Sequence, residues 1–125
     1  MMQGVLVDTS VWVDHFHRGE PLLQDLLVSG QVLTHPFIVG ELAFGNLSNR
    51  TEILQLFAAL PVVMVASNEE TMQLIEKHKL GGKGLGWIDA HLLAAALLSH
   101  VALWTRDRRL AAIATKLGIK GAKGD

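Results

Sequence analysis

The chain has 125 residues, about one domain's worth, and is 50% hydrophobic and 18% charged, which excludes a disordered polar chain. It has no cysteine, so disulfides, zinc thiolates and a cysteine nucleophile are excluded, and a reducing compartment fits. The net charge of -1 hides a division: residues 106–125 carry six basic against two acidic side chains, residues 1–105 five against ten.

In chain order, Val5-Leu6-Val7 reads as a short, fully buried strand of a parallel sheet. Thr9 or Ser10 can cap a helix that begins near Val11, uses Val13 and Phe16 as apolar positions and stops at Gly19. Pro21 suits the first turn of a second helix, Leu22 to Val28, and Val32-Leu33-Thr34 is a second strand. Pro36 opens a third helix through about Leu47, and a fourth runs from Thr51 to about Ala59. The β-branched run Val62-Val63-Met64-Val65 predicts another strand. Asn68 is a good cap for a fifth helix through about Lys79, with Met72 and Ile75 on its buried face. Gly81 to Gly86 is a glycine-rich stretch that lacks the ending of a phosphate loop and follows a helix; it reads as a flap or a plain linker. Trp87 to His100 is a helix apolar almost all round, hence central and covered. Val101 to Thr105 is a strand, Asp107 can cap a helix over Arg108–Leu117, and Gly118-Ile119 begins a last edge strand.

Strands alternating with helices predict an α/β fold, one domain over residues 1–125. A central, mainly parallel sheet of four to five short strands carries helices on both faces, giving three α/β/α layers. No apolar segment approaches the roughly 20 residues of a membrane span. Asp8 interrupts the N-terminal apolar run before a signal-peptide core forms. A soluble, cytoplasmic protein that does not engage a membrane is the expectation.

Four acids stand out. Asp8 follows the first strand, where ligand crevices of open α/β sheets lie; a helix cap is the alternative. Asp107 follows the strand ending at Thr105, with the same alternative. Asp89 is the one acid in the first turn of the apolar central helix. Glu41 is the only charge in Phe37–Phe44, where a buried carboxylate needs a pairing cation, a metal or a distant Arg. If the first and last long strands are neighbours, all four acids share one edge. Their repulsion is relieved by a divalent cation, and all-oxygen donors select Mg²⁺ or Mn²⁺. Ser10 and Thr105, each two residues from an acid, can hydrogen-bond a carboxylate or a phosphate, or serve only as caps. The C-terminal basic cluster can meet a polyanion locally, or be a solvated helix face. The six histidines show no metal-ligand pairing and read mostly as surface or interface residues; Trp12, Trp87 and Trp104 read as core or interface.

Asp8-Thr9-Ser10, Glu41, Gly86-Trp87-Ile88-Asp89-Ala90 and Thr105-Arg106-Asp107-Arg108-Arg109-Leu110, taken in order, resemble the PIN domain family, and more closely its VapC ribonuclease toxins of type II toxin–antitoxin systems. The resemblance covers essentially the whole chain. It implies a PIN-like fold and an endoribonuclease in which Asp8, Glu41, Asp89 and Asp107 hold Mg²⁺ or Mn²⁺, activate water and cleave an RNA phosphodiester. It also implies a homodimer and a cognate VapB-type antitoxin that inserts into the active-site groove. Lys83, Arg106, Arg108 and Arg109 are then candidate phosphate contacts, positioning RNA without reading bases. Two rivals differ in chemistry: a metal-dependent phosphatase or DNA-directed nuclease of related architecture, and a non-catalytic PIN-like binding module. The Asp-x-Asp of haloacid-type phosphatases is absent, since Ser10 stands two residues after Asp8.

Overall fold

The structure, a computed structural model, describes residues 4–121. Lys123 and Asp125, counted above in the basic end, lie outside the described residues. The elements in order are β1 (Val5–Val7), α1 (Thr9–Arg18), α2 (Pro21–Val28), β2 (Val32–Leu33), α3 (Pro36–Phe44), α4 (Arg50–Ala59), α5 (Asn68–His78), α6 (Trp87–Ser99), β3 (Ala102–Trp104) and α7 (Arg108–Lys116).

The sheet is parallel, in the order β2-β1-β3. Val5 pairs with Val32 on one side and Ala102 on the other, and Val7 with Trp104. β1 is therefore central, and Leu6 and Val7 have no exposed surface. Burying each such side chain contributes roughly 1.5–3 kcal/mol. β1 and β3 are adjacent, so Asp8 and Asp107 leave the sheet at the same carboxyl edge. α6 is the covered central helix: Ala90 to Ala96 are buried without a break.

The α/β class holds, but among the described residues the sheet has three strands, not four to five. The residues expected to form the other two contribute single bridges, Thr34 with Val62 and Leu103 with Lys120. Around Val62 the ladder cannot extend. Pro61 has no N–H to give, and the Met64 N–H is diverted to the Ser99 hydroxyl at 2.8 Å. Val62, Met64 and Val65 are exposed and Val63 is buried, and the run forms a single bridge rather than the strand its β-branching predicted. On the other side, the Ile119 carbonyl and the Gly121 N–H bond Leu103 at 2.7 and 2.8 Å, and Gly118-Ile119 forms no strand of its own.

The helix boundaries differ from expectation for local reasons. α1 starts at Thr9, not near Val11, with Asp8 at the cap position; Thr9 and Ser10 are not caps. Its buried residues are Val11 and Trp12, while Val13 faces an open groove. α3 ends at Phe44 rather than Leu47, because the Arg50 guanidinium takes the Ala43 carbonyl at 2.8 Å and closes the helix end. α5 is capped by Ser67, not Asn68. The Ser67 hydroxyl accepts from the Glu70 N–H and the Glu70 carboxylate accepts from the Ser67 N–H, a reciprocal pair that satisfies two end donors. That start turns Thr71 and Leu74 inward and leaves Met72 exposed.

Candidate active site at the carboxyl edge of the sheet

Asp8 ends the central strand, and its N–H is used by the Trp104 carbonyl at 2.9 Å. It occupies the cap position of α1, yet its side chain makes no cap bond. Instead Asp8 Oδ2 accepts from Ser10 Oγ at 2.7 Å and from Thr105 Oγ1 at 2.8 Å. Each hydroxyl in turn accepts a backbone N–H from the β3–α7 turn: Arg106 N to Ser10 Oγ at 3.0 Å, Asp107 N to Thr105 Oγ1 at 3.1 Å. The two hydroxyls thus stitch β1, α1 and the β3–α7 turn together through one carboxylate oxygen. Asp8 as a residue is 9% exposed, and among the described residues Oδ1 has no hydrogen bond.

Asp89 is the third residue of α6. Its Oδ2 accepts from the Gly86 N–H at 3.0 Å, so the carboxylate folds back over the helix start. Burial holds the Asp89 carboxyl above the usual carboxylate range. The Gly86 N–H opposes that shift, and the charges of Asp8 and Asp107 add to it. Glu41 is exposed, which removes the expectation of a buried charge on α3; that helix is apolar in composition but turns Glu41 outward. Its Oε1 accepts from Thr9 Oγ1 at 2.9 Å. Asp8, Glu41 and Asp89 line one shallow cleft of about 490 Å³, with Thr9, Trp87 and Ile88. Asp107 lies beyond this lining. It does cap α7, accepting from Arg109 N at 2.9 Å and Leu110 N at 3.1 Å, so its structural alternative is realised while its charge still acts on Asp89.

The donor set suits a hard cation in kind, since every candidate ligand atom is an oxygen. Among the described residues the ion pairs involve Arg18 and Arg106 with Asp14 and Glu20, so none joins a cation to the four acids. Equally, among the described residues no three Asp, Glu, His or Cys side chains are arranged to hold a metal ion as they stand. The hydrogen bonds above account for the spread. Glu41 is turned to Thr9, Asp89 to Gly86 and Asp107 to α7, and closing them on one ion requires side-chain rotation.

The candidate phosphate contacts separate. Arg106 pairs with Asp14 through Nε at 3.2 Å and with Glu20 through Nη2, and lies over the Trp104 ring at 5.7 Å. Arg106 thereby ties α1 and the start of α2 to the end of β3. Arg108 lines a second cleft with Thr105, Arg106 and Lys120. Arg109 packs against Gly84, whose φ of +82° favours glycine; a Cβ there would stand 2.7 Å from Arg109 Nη1 and push the guanidinium aside. Lys83, one residue earlier, is exposed.

Two histidines depart from the expected surface position. His35 is fully buried and caps α3, its Nδ1 accepting from Phe37 N at 2.9 Å. His91 is buried on α6, with Nδ1 3.3 Å from Thr71 Oγ1. The placement of His35 between β2 and Pro36 is the sequence signal for that cap. Trp12 and Trp104 are core residues, and Trp87 is partly exposed at the acid cleft. No helix among the described residues is long and apolar enough to cross a membrane.

Comparison with known proteins gives a consistent result. The PIN domain profile matches residues 5–116. The curated protein Ribonuclease VapC32, from two strains of Mycobacterium tuberculosis, is 39% identical over 116 residues, 92% of this chain and 94% of its own length. Among solved structures, PAE2754 from Pyrobaculum aerophilum aligns with a TM-score of 0.61 at 16% identity, over 92% of this chain and 89% of that one. FitAcB from Neisseria gonorrhoeae aligns with a TM-score of 0.62 at 20% identity, over 89% and 93%. At these identities the two structures speak for the fold alone.

Proposed function

The chain belongs to the PIN domain family, in its VapC branch, and from that premise we propose that it is a Mg²⁺- or Mn²⁺-dependent endoribonuclease, the toxin of a VapBC-type pair. The observation that carries the reading is the state of Asp89: its carboxyl is raised by burial and by Asp8 and Asp107 together. Acids from β1, α6 and the β3–α7 turn therefore meet electrostatically at one edge, with no cationic partner among the described residues, an arrangement that costs stability and that an incoming cation relieves.

Asp8, Glu41 and Asp89 would hold the cation, with Asp107 more peripheral because its Oδ1 is committed to α7. A bound divalent cation supplies Lewis acidity toward the phosphate oxygens and toward water. Ser10 and Thr105 hold Asp8 through Oδ2, leaving Oδ1 without a hydrogen bond among the described residues and open to a cation. Neighbours that hold a ligand carboxylate in this way fix its direction and are worth roughly 10–100-fold in metal affinity or activity. Arg108, Arg109 and Lys83 would take phosphate oxygens of the RNA; Arg106 does so only at the cost of its pairs with Asp14 and Glu20. The name of the curated relative supports RNA as substrate and, through the VapC type, a VapB-type antitoxin as partner. A groove of about 640 Å³ beside Glu41, with Val13, Phe16, Leu42, Ile53 and Leu56 on its walls, supports a partner segment there. A second copy of the chain, forming a homodimer, completes the proposed set.

The test is RNA cleavage with and without Mg²⁺ or Mn²⁺. Asp8→Asn is expected to abolish cleavage while leaving the thermal unfolding midpoint near that of the wild type. Full activity in excess EDTA would sink the metal requirement. Binding of RNA with no cleavage under any divalent metal would favour the non-catalytic module, a reading to which the open spacing of the acids lends its one support.

A further inference from the structure

Between the end of α5, the glycine-rich stretch and the last turns of α7 lies another cleft, of about 380 Å³. Its floor is apolar: Leu80, Ile113 and Leu117. The other lining residues are His78, Lys79, Lys83 and Lys116, and none is acidic. Among the described residues the ion pairs involve only Arg18 and Arg106 as cations, so none of these four takes part in one. This concentration stands out because residues 1–105 carry twice as many acids as bases. Like charges around a low-dielectric floor repel one another and focus a positive field into the cleft, and an anion relieves both.

The glycine-rich stretch connects this cleft to the acids. Lys83 lines the cleft, Gly84 lies against the Arg109 guanidinium, and the Gly86 N–H holds Asp89. Three residues of extended chain span at most about 10 Å. Lys83 is therefore close enough to the acids to meet the same RNA strand. Arg109 lies against Gly84, between Lys83 and Gly86 in the chain, and adds a cationic group beside this stretch.

We propose that this cleft is a second RNA-contact site, formed by Lys79, Lys83 and Lys116 with His78, which grips backbone phosphates flanking the one that is cut. The proposal rests on the ribonuclease reading above for its orientation, and on charge and geometry for the site itself. The grip is on phosphate and carries no base specificity.

The experiment measures binding of fluorescein-labelled oligo(U) by anisotropy in EDTA, across a salt series, so that no cleavage is needed. Lys79 has a φ of +53°, a conformation in which glycine is favoured, so Lys79→Gly removes the charge without straining the fold. The triple variant Lys79→Gly, Lys83→Ala, Lys116→Ala is expected to lose roughly tenfold in affinity at low salt. The slope of log K against log salt is expected to fall by about 0.7 for each phosphate that the variant no longer neutralises. Lys77→Ala removes one lysine charge outside this cleft and is the control, compared per charge removed. With Mg²⁺ present, KM for the same oligonucleotide is expected to rise in parallel in the triple variant. A triple variant that binds like the wild type, or loses no more per charge removed than Lys77→Ala, overturns the site. Equal wild-type affinity for poly-glutamate overturns RNA as its occupant. Wild-type protein that cuts no RNA with any divalent metal overturns the ribonuclease reading instead, and the EDTA binding series still decides the cleft.

Discussion

Thr105 and Asp8, 97 residues apart in sequence, are joined by a buried 2.8 Å hydrogen bond from the threonine hydroxyl to carboxylate Oδ2. The bond runs between the ends of the two adjacent parallel strands β1 and β3, and the hydroxyl is itself held by the Asp107 N–H. One side chain therefore couples the central acid of the site to the turn that carries the peripheral one. A helix cap would have used Asp8 quite differently. The absence of any cap bond from its side chain, beside two donors aimed at it from Ser10 and Thr105, is what separates Asp8 from a structural aspartate.

This relationship makes Thr105→Val informative. Valine keeps the shape and removes the donor, leaving Ser10 alone to hold Oδ2. Hydrogen bonds to charged groups contribute about 1.5–3 kcal/mol, so a measurable fall in unfolding free energy by urea titration is expected. Cleavage is expected to drop roughly 10–100-fold, the range for removing support from a metal-ligand side chain. Thr105→Ser restores the donor and is expected to recover most of the activity. A valine variant with wild-type rate would mean that the orientation of Asp8 is set elsewhere.

Asp89 presents the opposite balance. Its carboxyl is raised by burial first and then by two neighbouring charges, so the ionised form destabilises the free protein at neutral pH. Asp89→Asn removes that charge and keeps an oxygen for the Gly86 N–H. The expectation is a thermal midpoint equal to or above that of the wild type, with cleavage abolished. This is the stability–activity opposition of a site built from like charges. The sign follows from linkage: a folded pKa above the unfolded one adds stability only as pH falls through it, so the gain from asparagine is largest at neutral pH and shrinks on acidification. A fall in the midpoint at neutral pH would contradict the assigned repulsion.

Asp107 serves two purposes that two substitutions separate. Asparagine caps as well as aspartate, whereas alanine loses the bonds to Arg109 and Leu110 at a cost of about 1 kcal/mol. Asp107→Asn is expected to preserve stability and Asp107→Ala to lower it, by chemical denaturation. If Asp107 also contributes its charge to the cleft, both lose activity to a similar degree. Wild-type cleavage by Asp107→Asn would confine Asp107 to the cap.

The sequence made the edge legible because hydrophobic runs ending on acids are local features. Val5–Val7 followed by Asp8 and the apolar helix beginning at Trp87 needed no tertiary knowledge. The burial of Glu41 did not follow, since an apolar neighbourhood along α3 fixes composition and not which face meets the core; Glu41 turns out to be exposed and bonded to Thr9. The commitment of Arg106 was also hidden, because its partners Asp14 and Glu20 lie more than 80 residues away in sequence and are brought near only when β1 and β3 pair. The missing fourth and fifth strands illustrate the same limit: β-branched residues at Val62–Val65 favour extension, but a side-chain hydroxyl from Ser99 takes the N–H that a ladder needs.

His35 gives the fold a predictable acid sensitivity. It is fully buried, and its Nδ1 accepts the Phe37 N–H, so the neutral ring carries its proton on Nε2. That Nε2 has no partner among the described residues. Burial, and then the nearby His91, push its pKa down to about 4 from 6.5. The folded pKa lies below the unfolded one, so the unfolded chain binds the extra proton between these values. Stability is therefore fully present above about pH 6.5 and is lost as pH falls toward about 4, by about 3 kcal/mol at the most. His91, lowered by burial as well, acts in the same direction, and protonation of His35 Nδ1 would also break the cap on α3. Urea titrations of the metal-free protein across this range should give a falling unfolding free energy. His35→Asn keeps a capping acceptor and removes the titration. It is expected to be less stable at neutral pH, through poorer packing, but to show a flatter pH dependence between these limits. Parallel pH profiles for the two proteins would show that the acid sensitivity comes from other groups.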